Sequence, residues 1–167
     1  FLADAQRGVC DLDGALQSRQ ENVALEQQIL AGDANDPAKI RRLAWALRGL
    51  GLVQDELGRV DDAIDSIEKS IALMERLLEQ DTRDIKFVRF MLSSRQRLAL
   101  LHAFTGNFAR ARQSMDALEE EWQRYFEAAP EDEFNIDQEY TAYLVDRAWL
   151  DSAMDDPAAA VQLLETG

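Results

Sequence analysis

Residues able to do chemistry are few in this chain, and their spacing assembles no reaction centre. His102 is the only histidine and Cys10 the only cysteine among 167 residues. A zinc site draws on several such ligands at short helical or turn spacings, and neither residue has a partner of that kind nearby. His102 falls on a stretch with helical periodicity and is expected to pack rather than to ligate. No Ser–His–Asp arrangement can be built around it. Cys10 reads as a passive thiol without an intrachain disulfide partner, compatible with a reducing cytosol. Gly49, Gly51 and Gly58 do not complete a G-x-G-x-x-G and follow no strand, so nucleotide phosphates find no cradle. Asp11-Leu12-Asp13-Gly14 and Asp33-Ala34-Asn35-Asp36 have the composition of calcium loops without their ligand spacing, and read as turns and N-caps. Glu119-Glu120-Glu121 and Glu131-Asp132-Glu133 read as solvated surface. The expectation is a chain that is not an enzyme and holds neither cofactor nor metal.

The elements that would position any site are helices. Only three prolines and eight glycines occur, which favours long helices over a loop-rich or all-β fold. Apolar residues make up 47 % and charged residues 30 %, ordinary globular usage for one domain with a substantial core. The net charge of −14 argues against nucleic acid or an anionic membrane as a direct partner and leaves room for basic ones. No apolar run approaches the roughly 20 residues that span a bilayer. The chain opens Phe1-Leu2-Ala3 with no signal-peptide pattern, which leads to the expectation of a piece cut from a longer, cytoplasmic protein.

Two ladders of small residues organise the sequence. Ala15, Ala63, Ala111 and Ala160 are separated by 48, 48 and 49 residues, and Ala3, Gly51, Ala99 and Ala148 by the same steps. Ser18, Ser66 and Ser114 recur in phase, as do Arg41 and Arg89. Such self-similarity marks stacked supersecondary units. Within one unit, Val60, Ala63, Ile64, Ile67, Ile71, Met74, Leu77 and Leu78 trace one face of a helix over 60–78, while Ile40, Leu43, Leu47, Leu50, Gly51 and Leu57 trace a helix before it. Gly58 between them predicts a left-handed stop, and Gly106 repeats it. The pattern predicts further helices over 12–31, 86–105 and 108–128, one beginning near Phe134, a turn at Asp155-Asp156-Pro157 and a last helix over 158–164. The repeat boundaries are a partial repeat 1–33, repeats 37–81 and 84–129, and a partial repeat 133–167. Ladder residues are expected where paired helices cross at about 8 Å and only Gly or Ala leaves room.

The chain resembles the tetratricopeptide repeat family in its long-helix form, with a period of 48 in place of about 34. The best copy of the family pattern is Leu47, Leu50-Gly51, Gln54, Gly58, Ala63 and Ile67. Arg95, Leu98-Ala99, His102, Gly106, Ala111 and Met115 follow, then Leu144, Arg147-Ala148, Asp151, Ala160 and Leu164. Arg147 stands in a slot usually filled by Leu, which calls for a compensating carboxylate such as Asp146 or Asp151. The resemblance implies an all-α, right-handed superhelical solenoid of antiparallel helix pairs. It also implies a concave groove lined by first helices: Arg41, Trp45, Arg48, Leu52 and Asp55, then Arg89, Ser93, Gln96 and Leu100, then Ala142, Val145 and Trp149.

Residues 38–57 carry four basic and two acidic side chains and residues 84–105 four and one, against three and seven over 59–81, so the first helices should be the less negative surface. The function expected is a protein- or peptide-binding scaffold whose ligand has apolar anchors and some acidic or carbonyl-rich character. The bland alternative is that these arginines only pair with acids on adjacent helices and that Trp45 is core. Two further readings stand beside the scaffold. One is a sensory or autoregulatory segment of a larger bacterial signalling protein, binding another domain of the same chain. The other is a self-assembling structural module that forms homodimers through open repeat ends.

Overall fold

The computed structural model describes residues 11–78, 85–128 and 136–155. Among them are six helices and no strand: α1 (Leu12–Ala31), α2 (Pro37–Glu56), α3 (Val60–Leu78), α4 (Ile85–Phe104), α5 (Phe108–Ala128) and α6 (Ile136–Asp155). The chain divides into two compact units between Phe87 and Val88, a boundary that falls inside α4.

In the first unit each helix start has a local cause. The Asp11 carboxylate accepts the Gly14 amide at 2.9 Å, and Asp36 accepts those of Ala38 at 2.8 Å and Lys39 at 3.3 Å. Pro37 occupies the first position of α2, where its missing N–H costs nothing. The turn into α3 closes on Gly58, at φ +69°. There the Gly58 amide donates to the Asp55 carbonyl and the Arg59 amide to that of Gln54, both at 2.8 Å, so two orphan carbonyls are satisfied. Arg59 offers no side-chain acceptor to the start of α3. Asp61 and Asp62 in its first turn meet the positive end of the helix dipole instead.

The core of this unit joins Ala15, Leu16 and Val23 of α1 to Leu43, Ala46, Leu47, Leu50 and Val53 of α2, with Leu73 of α3 packed against them. Burial of each large aliphatic side chain contributes about 1.5–3 kcal/mol. The two ladders meet in the seam between α2 and α3. A Cβ placed on Gly51 would lie 2.7 Å from Ile67 Cγ1 and 3.2 Å from the Ala63 carbonyl oxygen. Gly51 is thus required by the approach of α3, and Ala63 is fully buried opposite it.

The second unit repeats the turn in register. Gly106, at φ +79°, donates to the Ala103 carbonyl and Asn107 to that of His102, again at 2.8 Å. Asn107 also caps α5, its side-chain oxygen accepting the Arg110 amide at 3.3 Å. Ala99 and Ala111 are fully buried. Trp122 of α5 is fully buried under Tyr140 and Tyr143 of α6, at ring-centroid distances of 6.3 and 6.4 Å, with Tyr125 edge-on at 5.8 Å. His102 is buried, as its helical context predicts.

The expected bounds of α1, α3 and α5 coincide with those observed. Those of α4 shift by one residue, and the described part of α6 starts at Ile136. Ala148 is exposed, and the residue expected to cross it, Ala160, is not among those described. Ala3, Ala160, Cys10, Phe134 and the expected helix over 158–164 lie outside the described residues.

Candidate binding face

On α2 the residues Arg41, Trp45, Arg48, Leu52 and Asp55 succeed one another at intervals of four, three, four and three, which places them on one face. That face points away from the core residues Leu43, Ala46, Leu47, Leu50 and Val53 between them. Trp45 is 50 % exposed, so its large ring is presented to solvent rather than used in the core. The other four are half-buried. The Arg41 guanidinium stands 4.8 Å above the Phe87 ring, a cation–π contact that holds it at the border of the face. Ser70 of α3 donates to the Ala44 carbonyl at 2.7 Å and fixes α2 from behind, next to Trp45 in the chain.

A further cation belongs to this neighbourhood and was not legible in the sequence. The Arg19 guanidinium of α1 extends across α2 at Gly49, where a Cβ would come within 3.1 Å of it. The only signal for it was a glycine in the middle of a helix, a position that ordinarily costs about 1 kcal/mol relative to Ala. Here the missing side chain makes room for an arginine.

The expected counterparts in the second unit are used differently. Leu100 is buried in the core rather than set on a groove. Gln96 donates to Asp146 of α6 at 2.5 Å, and Ser93 donates to the Phe90 carbonyl of its own helix at 3.1 Å. Arg89 is half-buried. Trp149, also half-buried, meets Phe104 edge-on with centroids 5.7 Å apart. Phe104, four residues beyond Leu100, is an exposed aromatic with no sequence signal to mark it. Ala142 and Val145 are exposed on α6.

Electrostatics in the second unit are those of cross-helix pairing. Arg95 bridges to Glu121 of α5 at 2.5 Å. Burial lowers the Arg97 pKa against the opposing pull of Asp146. Burial raises that of Tyr143, whose hydroxyl donates to the Met115 carbonyl at 3.0 Å. Arg147 finds its compensation in Asp151 at 3.4 Å, as one of the two expected carboxylates, while Asp146 is engaged by Gln96. Two acids of α5 join it, Asp116 at 2.5 Å and Glu119 at 3.5 Å; Glu119 and Glu121, expected as solvated surface, are instead paired with arginines of adjacent helices. Burial would lower the Arg147 pKa. The Tyr143 hydroxyl, Asp116 and Asp151 outweigh it and hold the guanidinium above its ordinary value.

Among the described residues no group of three or more His, Cys, Asp or Glu side chains could hold a metal ion, and no helix is long and apolar enough to cross a membrane.

No protein-family model matches the chain, and no curated protein matches it. Among solved structures, the crystal structure of MamA is similar at a TM-score of 0.35 and 14 % identity, over 93 % of this chain and 97 % of that one. An overlap that loose carries no argument.

Proposed function

We propose that this chain is a non-catalytic scaffold of tetratricopeptide-like helix pairs that binds a protein or peptide segment along the α2 face of its first unit. The observation that carries the reading is the half-exposed Trp45 ring, flanked by Arg41 and Arg48 on one helix face of a protein whose net charge is −14. Aromatic and arginine side chains are the residue types that dominate binding energy at interfaces, because they offer large contact area and directional donors together. A ligand suited to this face carries one large apolar anchor for Trp45, with carboxylates or exposed carbonyls alongside for the guanidinium groups. Cytoplasmic localisation belongs to the same proposal.

Selection from a random peptide library displayed at neutral pH tests it. Enrichment of sequences pairing an aromatic or aliphatic residue with nearby Asp or Glu supports the reading. The selected peptides should then lose at least about tenfold in affinity against Trp45→Ala/Arg48→Glu, the loss of one anchor at about 1.4 kcal/mol. Peptides that bind this double variant as well as the parent protein would move the binding surface off α2. Enrichment of basic peptides would reverse the charge assignment.

A further inference from the structure

At one pair of slots between α5 and α6 an ionic contact stands where the first unit has apolar residues. Val23 of α1 and Leu50 of α2 share the first unit's apolar core. Forty-eight residues on, the same two slots hold Ile71 and Leu98, again apolar. In the third occurrence they hold Glu119 and Arg147, which face each other at 3.5 Å. Both members of the pair have changed together, and the new pair is set in a network. Asp116 of α5 and Asp151 of α6 complete the shell around Arg147, and Arg112 of α5 approaches Asp151 at 3.8 Å. From α4, Gln96 ties down Asp146 on the neighbouring turn of α6.

Ionic junctions and apolar ones respond in opposite ways to solution conditions. Added salt shortens the Debye length from about 10 Å at 0.1 M to about 3 Å at 1 M, which screens partly exposed pairs and leaves packed hydrocarbon untouched. Arg147 is about one-fifth exposed and its acids are half-exposed, so this network lies within reach of that screening. We propose that α6 is a charge-latched helix, its apolar packing on α5 through Tyr143 reinforced by the Arg147 network, so that it opens more readily as ionic strength rises, whereas α2 and α3 stay packed. Opening bares Trp122, whose ring Tyr140 and Tyr143 otherwise cover. The device thus converts ionic strength into the exposure of one aromatic surface.

Hydrogen exchange of the intact chain, read by mass spectrometry on peptides from α6 and from α2–α3, tests the latch. Between about 0.1 M and about 1 M sodium chloride, exchange in α6 should accelerate roughly tenfold while α2–α3 changes less than about twofold. The double variant Glu119→Ile/Arg147→Leu, which installs the residue types found at these slots one period earlier in the sequence, should show a flat response in α6. An unchanged α6 in the parent protein overturns the proposal by itself, whatever the variant does. A salt response in the double variant equal to that of the parent overturns it too, by removing Arg147 as its source.

Discussion

The α2–α3 and α4–α5 hairpins close on the same turn and fill their interiors differently. At both turns a glycine at positive φ donates to one carbonyl and the next residue to another, with matching bond lengths. Behind the turns, Ser66 donates to Gln54 at 2.7 Å in the first hairpin, where the second has Ser114 and His102. Ser70 bonds the Ala44 carbonyl in the first; Leu118 and Leu92, both buried, occupy those slots in the second. Between α1 and α2, Glu26 accepts from Arg42 at 2.7 Å, while Met74 and Phe90 stand one period later. Backbone geometry at the turn is fixed because few residues tolerate it. The seam needs only complementary pairs, and many pairs serve.

The sharpest way to break the comparison is through tryptophan. Trp122 is fully buried in the second unit and Trp45 half-exposed in the first. Trp122→Ala should cost about 3–5 kcal/mol of stability in a denaturant titration followed by circular dichroism. Trp45→Ala should cost less than about 0.5 kcal/mol, leaving its effect to ligand affinity alone. A large loss on Trp45→Ala would place that ring in the core and remove the basis of the proposed binding face.

The seams themselves allow a finer test. Gly51 faces Ile67, which is branched at Cβ and rigid in a helix, while the matching slots of the second hairpin hold Ala99 and Met115. Gly51→Ala gains about 1 kcal/mol of helix propensity and meets an overpacking cost of about 1–3 kcal/mol, for a net loss near 1 kcal/mol. Combining it with Ile67→Met, the partner used in the second hairpin, should recover that loss, because an unbranched side chain can bend away from the new methyl. Chemical denaturation of both single variants and the double variant supplies the cycle. Additive losses would show that the pairing across the seam is coincidence.

What could be read in advance follows from this distinction between backbone and seam. Gly58 and Gly106 were legible because positive φ is a demand on one residue, met by very few side chains. Gly51 and Ala63 were legible because a close crossing demands small residues on both helices at a fixed period. The bounds of α1, α3 and α5 followed from periodicity closed off by turn residues. By contrast, the partners of Arg147 depended on which acids of α5 come to rest opposite α6, and sequence proximity pointed equally to Asp146 and Asp151. Arg19 over Gly49 and Gln96 on Asp146 were hidden for the same reason: each joins residues at least 30 positions apart through long, rotatable side chains. The candidate face was legible on α2, where Trp45 is presented outward. It was not legible on α4, where Leu100 turns into the core and Gln96 is already bonded.

The smallest expected effect lies at the starts of the second helices, where the hairpins differ by one atom type. Asn107 caps α5 with a side-chain oxygen on the Arg110 amide, whereas Arg59 ahead of α3 has only donors to offer. Asn107→Ala should therefore cost about 1 kcal/mol. Arg59→Ala should stay within about 0.5 kcal/mol. Replacing Arg59 by Asn should give α3 the cap that α5 has and stabilise the first unit by up to about 1 kcal/mol. Thermal unfolding followed at the helical circular-dichroism band reads all three. If Arg59→Asn gains nothing, the dipole contribution of Asp61 and Asp62 already substitutes for a cap, and the two helix starts are equivalent by different means.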